Sequence, residues 1–182
     1  MGSLKEEDII ISRLHDRRTR SRAFEDIVNE YSQTLYWQIR RIVVLHDDAD
    51  DVLQNTFVKA WTSIDSFRGD SKLSTWLYKI ALNESLTFLN RSKKNQSVEA
   101  DMEGVAEQLA SDPYFDGDEV QALLQEVVSS LPNKQRVVFN MKYFEGMKYE
   151  DMSELLDTSE GALKASYHHA VKKIEDFFKS KE

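Results

Sequence analysis

From Ser21 onward the apolar residues Phe24, Ile27, Val28, Tyr31, Leu35, Ile39, Ile42 and Val43 recur three and four positions apart. That spacing predicts one stripe of a long amphipathic helix. His46-Asp47-Asp48 is expected to break it. A second stripe follows through Ala49, Val52, Leu53, Thr56, Phe57, Ala60, Trp61 and Ile64, all expected to face a core. Asp48, Asp50 and Asp51 fall in its first turn, where carboxylates meet the positive end of the helix dipole. Ser66 to Ser71 reads as a loop, with Gly69 free to take a positive φ. A third helix is expected to turn Leu73, Trp76, Leu77, Ile80, Ala81 and Phe88 inward and to end at Arg91-Ser92-Lys93-Lys94.

The pattern then lapses. Residues 95–117 hold acidic runs, Gly104, Pro113 and Gly117, with room for one short helix at Val105 to Leu109. Periodicity returns at Val120, Leu123, Leu124, Val127, Val128 and Leu131, and Pro132 opens a further helix carrying Val137, Val138, Met141 and Phe144. The last forty or so residues read as helix, sharp turn, helix. Tyr149, Met152, Leu155 and Leu156 line the first helix, Asp157-Thr158-Ser159 supplies the turn and an N-cap, and Ala162, Leu163, Tyr167, Ala170, Ile174, Phe177 and Phe178 form the stripe of the second. This is the layout of a helix-turn-helix, whose second helix fits a major groove roughly 12 Å wide. It is also the layout of a plain helical hairpin. In the first case Lys164, Ala165, His168, His169 and Lys172 point outward, and the small residues Gly161 and Ala162 permit close approach to a phosphate at the helix N-terminus.

Composition agrees with an all-α chain. Six glycines and two prolines among 182 residues are too few for many tight turns between strands. No run approaches the roughly 20 apolar residues of a membrane span, and Ile9-Ile10-Ile11 is too short for the core of a signal peptide. A cytoplasmic location is therefore expected. The absence of cysteine excludes disulfides, thiolate metal sites and cysteine nucleophiles. The net charge of −8 looks wrong for a DNA-binding protein, but residues 95–130 hold nine acidic side chains and no basic one, and the flanking stretches are close to neutral. Beyond ~8–10 Å in physiological salt that charge is screened from a DNA-facing surface elsewhere.

Three stretches together resemble the extracytoplasmic-function sigma factors of bacterial RNA polymerase. LPNKQRVVFNMKYFEGMKYEDMSELLDTSEGALKASYHHAVKKIEDFF is similar to the family's −35 recognition region. DDADDVLQNTFVKAWTSIDSF is similar to its polymerase-binding helix, and FRGDSKLSTWLYKIALNESLTFLNRSKK to its −10 recognition segment. The resemblance runs from about Phe24 to Phe178, with both modules in the family's order. It implies two small helical domains joined by a flexible acidic linker: an N-terminal extension at 1–20, sigma region 2 at 21–94, the linker at 95–117 and sigma region 4 at 118–182.

The resemblance also gives roles to surface residues. Asp50, Asp51, Gln54, Asn55, Val58 and Thr62, otherwise an ordinary solvated face, would dock on the clamp helices of the polymerase β′ subunit. Phe67, Arg68, Gly69, Asp70 and Ser71 would form a loop that captures a base flipped from the −10 element, offsetting the few kcal/mol that unstacking costs. Lys79, Asn83, Asn90 and Arg91, extended by Lys93 and Lys94, would track the nontemplate strand. Trp76 reads either as core or as a wedge against DNA. Lys164, Ala165, His168, His169 and Lys172 would meet −35 duplex DNA, and the domain carrying them would sit near the β flap. Lys172 and Lys173 serve equally as phosphate contacts or as compensation of the helix dipole. An anti-sigma factor that masks these surfaces is the expected regulatory partner.

The chain departs from the family pattern at three positions. Ala162 stands where Thr is usual, His169 where Arg is usual, and Val171 where a basic residue is common. The recognition helix is thus less basic than in most members, which leaves its −35 preference open.

No metal or cofactor is expected. The Asp cluster lacks the glycine and distal Glu of a calcium loop, and neighbouring histidines on a helix point about 100° apart. No serine-histidine-aspartate set or phosphate-binding glycine loop suggests an enzyme. Two other functions fit parts of the pattern: a helix-turn-helix regulator that binds operators without polymerase, and an interaction protein that only sequesters a partner. The first module argues against the regulator.

Overall fold

The computed structural model describes residues 4–95, 105–113, 115 and 117–181. Among them the chain forms nine α-helices and no strand. They are α1 (Leu4–His15), α2 (Arg20–Val43), α3 (His46–Ser63), α4 (Leu73–Asn95), α5 (Val105–Ala110), α6 (Glu119–Ser130), α7 (Asn133–Tyr143), α8 (Tyr149–Leu156) and α9 (Glu160–Lys179), with a 3-10 turn at Ile64–Ser66. Two compact units emerge, one from residues 1–40 and 47–88, the other from 41–46 and 89–182.

In the first unit the apolar stripes become the core. Ile27, Leu35 and Ile39 of α2 are buried, as are Ala49, Val52 and Ala60 of α3 and Leu73, Leu77 and Ala81 of α4. Thr56 is buried within the α3 stripe, and its hydroxyl donates to the Val52 carbonyl at 2.8 Å, which satisfies the polar group inside the helix. One position of the stripe departs from the spacing, although Ala60 before it and Ile64 after it are buried. Trp61 is 40% exposed and packs edge-on against Phe24, ring centroids 5.1 Å apart. Helix α1 belongs to this core too, through the fully buried Leu14.

Among the described residues, the core of the second unit includes two distinct apolar clusters. Val127, Val128, Leu131, Phe139, Ala170 and Ile174 form one, covered by Leu124, Tyr167, Val171, Phe177 and Phe178. Phe139 stacks on both Tyr143 and Tyr167, at 5.0 and 5.9 Å. The other contains Val44, Val105, Leu109 and Ala122. The acidic stretch therefore includes a packed helix, α5, whose Ala106 N–H donates to the Glu126 carboxylate at 3.0 Å. Val44 takes φ 79°, a conformation that a β-branched residue rarely adopts, and it breaks the helical path two residues before His46-Asp47-Asp48, the expected break, which instead opens α3. Val120, placed on the α6 stripe by spacing, is 62% exposed.

Arg136 is the buried cation of this unit. It donates to the carbonyls of Ile42, at 3.0 Å, and Ser129. Loss of water pushes its guanidinium down to about 10, still charged at neutral pH.

Candidate functional site

Three surfaces carry the residues that the sequence singles out. The first is the outer face of α3. Asp51, Gln54, Asn55, Val58 and Thr62 are exposed, and Asp50 is half-buried. Their three- and four-residue spacing keeps them on one side of the helix. Val58 is 63% exposed, and Trp61 adds its partly exposed ring one turn further on. The face thus combines carboxylates and amides with a small apolar patch. Sequence spacing assigned Trp61 inward, and only its position at the border of the stripe hinted otherwise. At the start of α3 the Asp48 carboxyl is raised above the usual range, first by burial and then by Asp51 and Asp47, while Arg40 opposes the shift.

The second surface is the loop before α4 and the polar side of that helix. Phe67 differs from its loop neighbours: it is buried and packs on Trp76, centroids 4.8 Å apart. Arg68, Gly69, Asp70 and Ser71 are exposed. Gly69 has φ 78°, the left-handed conformation that glycine adopts without a steric penalty. Trp76 is half-buried, its ring lying on Phe67. Lys79 and Asn83 are exposed one turn apart on α4. Asn90 and Arg91 are exposed further along the same helix, in the portion that belongs to the second unit. There Asn90 accepts a hydrogen bond from Asn133 Nδ2 at 3.0 Å. The side chains of Lys93 and Lys94 lie outside the described residues.

Two tertiary approaches beside the loop had no signal in the sequence. Arg20 pairs with Asp65, forty-five positions away, with Nη2 2.5 Å from Oδ1. Ile11 lies under Gly69, where a methyl group built on the glycine would stand 3.6 Å from Ile11 Cδ1.

The third surface is the α8–α9 pair. Asp157 closes α8 with φ 46°, an αL residue of the kind that ends helices. Ser159 caps α9, its side chain accepting from Ala162 N at 3.4 Å. Leu163, Ala170 and Ile174 hold α9 against the core, so Lys164, Ala165, His168, His169 and Lys172 are all exposed on its other side. Ala162, assigned to the buried stripe by spacing, is exposed beside Gly161, and nothing lies within 4 Å of where a Gly161 side chain would begin. Lys164 is paired with Glu160 at 3.1 Å and lies 5.4 Å from the centre of the Tyr149 ring, which Lys142 also approaches, at 4.9 Å. Burial, followed by Tyr149 and Tyr143, raises the Tyr167 hydroxyl.

Among the described residues no group of three or more His, Asp or Glu side chains could hold a metal ion. No described helix is long and apolar enough to cross a membrane.

Comparison with known proteins gives two family matches, Sigma-70 region 2 over residues 27–95 and Sigma-70 region 4 over residues 121–174. The chain is 30% identical over 156 residues to the ECF RNA polymerase sigma factor SigW of Bacillus subtilis, covering 80% of this chain and 83% of that one. It is 28% identical over 165 residues to the ECF RNA polymerase sigma-E factor of Haemophilus influenzae, covering 85% and 87%. Two solved structures share the fold. The sigma factor RpoE, in complex with the anti-sigma factor NepR from Bartonella quintana, matches with a TM-score of 0.68 at 24% identity, over 87% of this chain and 98% of that one. CnrH, in complex with the cytosolic domain of CnrY, matches with a TM-score of 0.68 at 21% identity, over 97% and 99%.

Proposed function

The chain belongs to the ECF RNA polymerase sigma factors, and from that membership we propose how its surfaces divide the work of promoter recognition. The outer face of α3, from Asp50 to Thr62, docks on the β′ clamp helices of core polymerase. Its carboxylates and amides pair with basic groups there, and Val58 and Trp61 bury apolar area. The loop 67–71 captures an unstacked −10 base. Lys79 and Asn83, with Asn90 and Arg91 further along α4, follow the nontemplate strand. Helix α9 reads −35 duplex in the major groove through Lys164, Ala165, His168, His169 and Lys172, beside the β flap.

The single observation that carries this reading is the row of exposed polar side chains on α9 opposite Leu163, Ala170 and Ile174, in a chain that matches both promoter-reading regions. A regulator working without polymerase would have no use for region 2. Two weak sites on one chain act at high effective concentration, so holoenzyme selects promoters that neither site would hold alone. The protein works in the cytoplasm without cofactor and performs no chemistry itself. An anti-sigma factor holds it inactive until a signal releases it, a reading supported by the structural likeness to the sigma factor RpoE in complex with the anti-sigma factor NepR.

Runoff transcription with purified core polymerase on a randomised promoter library tests the proposal. The expected result is a sharp set of start sites with shared −10 and −35 sequences. No start site, with or without a displaced inhibitor, overturns it.

A further inference from the structure

Two residues from the start of the chain, Ile11 of α1 and Arg20 at the start of α2, stand against the segment that carries the exposed loop 68–71. All three guanidinium nitrogens of Arg20 take part: Nε donates to the Leu14 carbonyl at the end of α1, at 2.8 Å, while Nη1 and Nη2 reach the two Asp65 oxygens at 3.4 and 2.5 Å. Asp65 lies in the 3-10 turn that runs directly into Phe67. One planar fork therefore joins the end of α1 to the start of the loop, a geometry that the single ammonium of lysine does not reproduce. Midway along the loop, Ile11 lies under Gly69.

Helix α1 is itself fixed. Leu14 is fully buried, Thr19 Oγ1 donates to the Arg13 carbonyl at 2.8 Å, and Arg13 pairs with Asp26 at 3.0 Å. The Thr19 hydroxyl and Arg20 Nε thus occupy the Arg13 and Leu14 carbonyls, which a helix end otherwise leaves open.

We infer that Ile11 of α1 and Arg20, which links the end of α1 to Asp65 from the start of α2, set the conformation in which the loop 67–71 receives a base, which makes both positioning residues for −10 capture. The inference rests on the capture-loop reading above. An unsupported exposed loop must be ordered when it binds, which weakens binding, whereas one already held in place avoids that loss. Neither Arg20 nor Ile11 need touch DNA. Their effect appears in strand affinity and base discrimination, and not in docking on polymerase or in duplex binding.

The test uses holoenzyme reconstituted from core polymerase and the full chain. Three quantities are measured: affinity for core, affinity for a −35 duplex, and affinity for single-stranded nontemplate −10 oligonucleotides differing at the captured base. The variants are R20Q, R20K, I11A, I11V and the loop variant R68A. R20Q and I11A are expected to lower −10 strand affinity about threefold to tenfold and to flatten base preference. R20K stays impaired, I11V recovers, and core and −35 affinities do not change. The inference is overturned if R20Q and I11A capture the strand normally while R68A does not, and also if core and −35 binding fall in parallel with −10 binding, which marks a merely structural role. If R68A too leaves capture unchanged, the capture-loop reading fails and takes this inference with it.

Discussion

The rings of Phe67 and Trp76 lie 4.8 Å apart, centroid to centroid, with their planes inclined by 34°. The contact ties the first residue of the loop to the first turn of α4. Phe67 is only 3% exposed, so within a stretch of otherwise solvated side chains it serves as an anchor.

Phe67→Ala is accordingly expected to destabilise the first unit by about 3–5 kcal/mol, the usual range for deleting a buried aromatic ring. Urea unfolding followed by tryptophan fluorescence measures it, since Trp76 reports on the contact directly. A loss below about 1 kcal/mol would mean that the ring is not packed as described.

Gly69→Ala separates backbone strain from steric contact. A new Cβ would sit in ordinary contact with Ile11, so any cost comes from φ 78°, about 1–2 kcal/mol for an L residue held in that region. The same denaturation measurement should show that loss. In holoenzyme, −10 strand binding should fall while −35 binding stays level.

Replacing Lys164 and His168 by Ala is expected to weaken −35 duplex binding, with affinity for core polymerase intact. Replacing Asp51 and Gln54 by Ala is expected to do the reverse. All four side chains are exposed, so stability should change by less than about 0.5 kcal/mol in each pair. Fluorescence anisotropy with labelled duplex and labelled core distinguishes the outcomes. Loss of both activities in either pair would remove the surface assignments.

Leu109→Ala examines the helix inside the acidic stretch. Leu109 is 2% exposed against Val105, Ala122 and Val44, and its truncation should cost about 2–5 kcal/mol. Thermal unfolding of the full chain reads this. A neutral result would show that α5 is not docked.

Asp48 gives a pH dependence of definite sign. Its folded value lies above the ordinary 3.8 because burial, Asp51 and Asp47 disfavour the charged form. The folded state therefore binds more protons than the unfolded one in the window just above 3.8, and stability attributable to this group rises as pH falls through the raised value. Asp48→Asn should be more stable than the unaltered chain at pH 7, and the difference should shrink on acidification. Parallel urea midpoints from pH 7 down to pH 4 measure it. A difference that does not vary with pH rules out the assigned cause.

Much of this architecture can be read from periodicity and caps. The α9 stripe at Leu163, Ala170 and Ile174 and its Ser159 cap are where spacing puts them, because a long amphipathic helix with a capping serine leaves little choice of phase. The short helix from Val105 agrees as well. The misplaced residues lie at stripe borders. Trp61, Val120 and Ala162 have the right helical angle for burial, but burial also needs a neighbour at that height, and none reaches them fully. Phe67, read only as part of a loop, is buried against Trp76 of α4. The Arg20–Asp65 pair and the approach of Ile11 to Gly69 were not legible at all, since no local period links residues that only tertiary packing brings together.

The ammonium of Lys164 already has a carboxylate companion in Glu160, 3.1 Å away on the same face of α9. A phosphate arriving there must evict that companion, so the encounter is an exchange of partners and not a simple gain of one. Lysines that neutralise DNA draw much of their affinity from freed counterions, and a lysine supplied with its own counterion forfeits part of that return. Random duplex, offering charge and nothing else, is turned away first, and affinity at this point of the helix should vary less steeply with salt than the number of its lysines suggests.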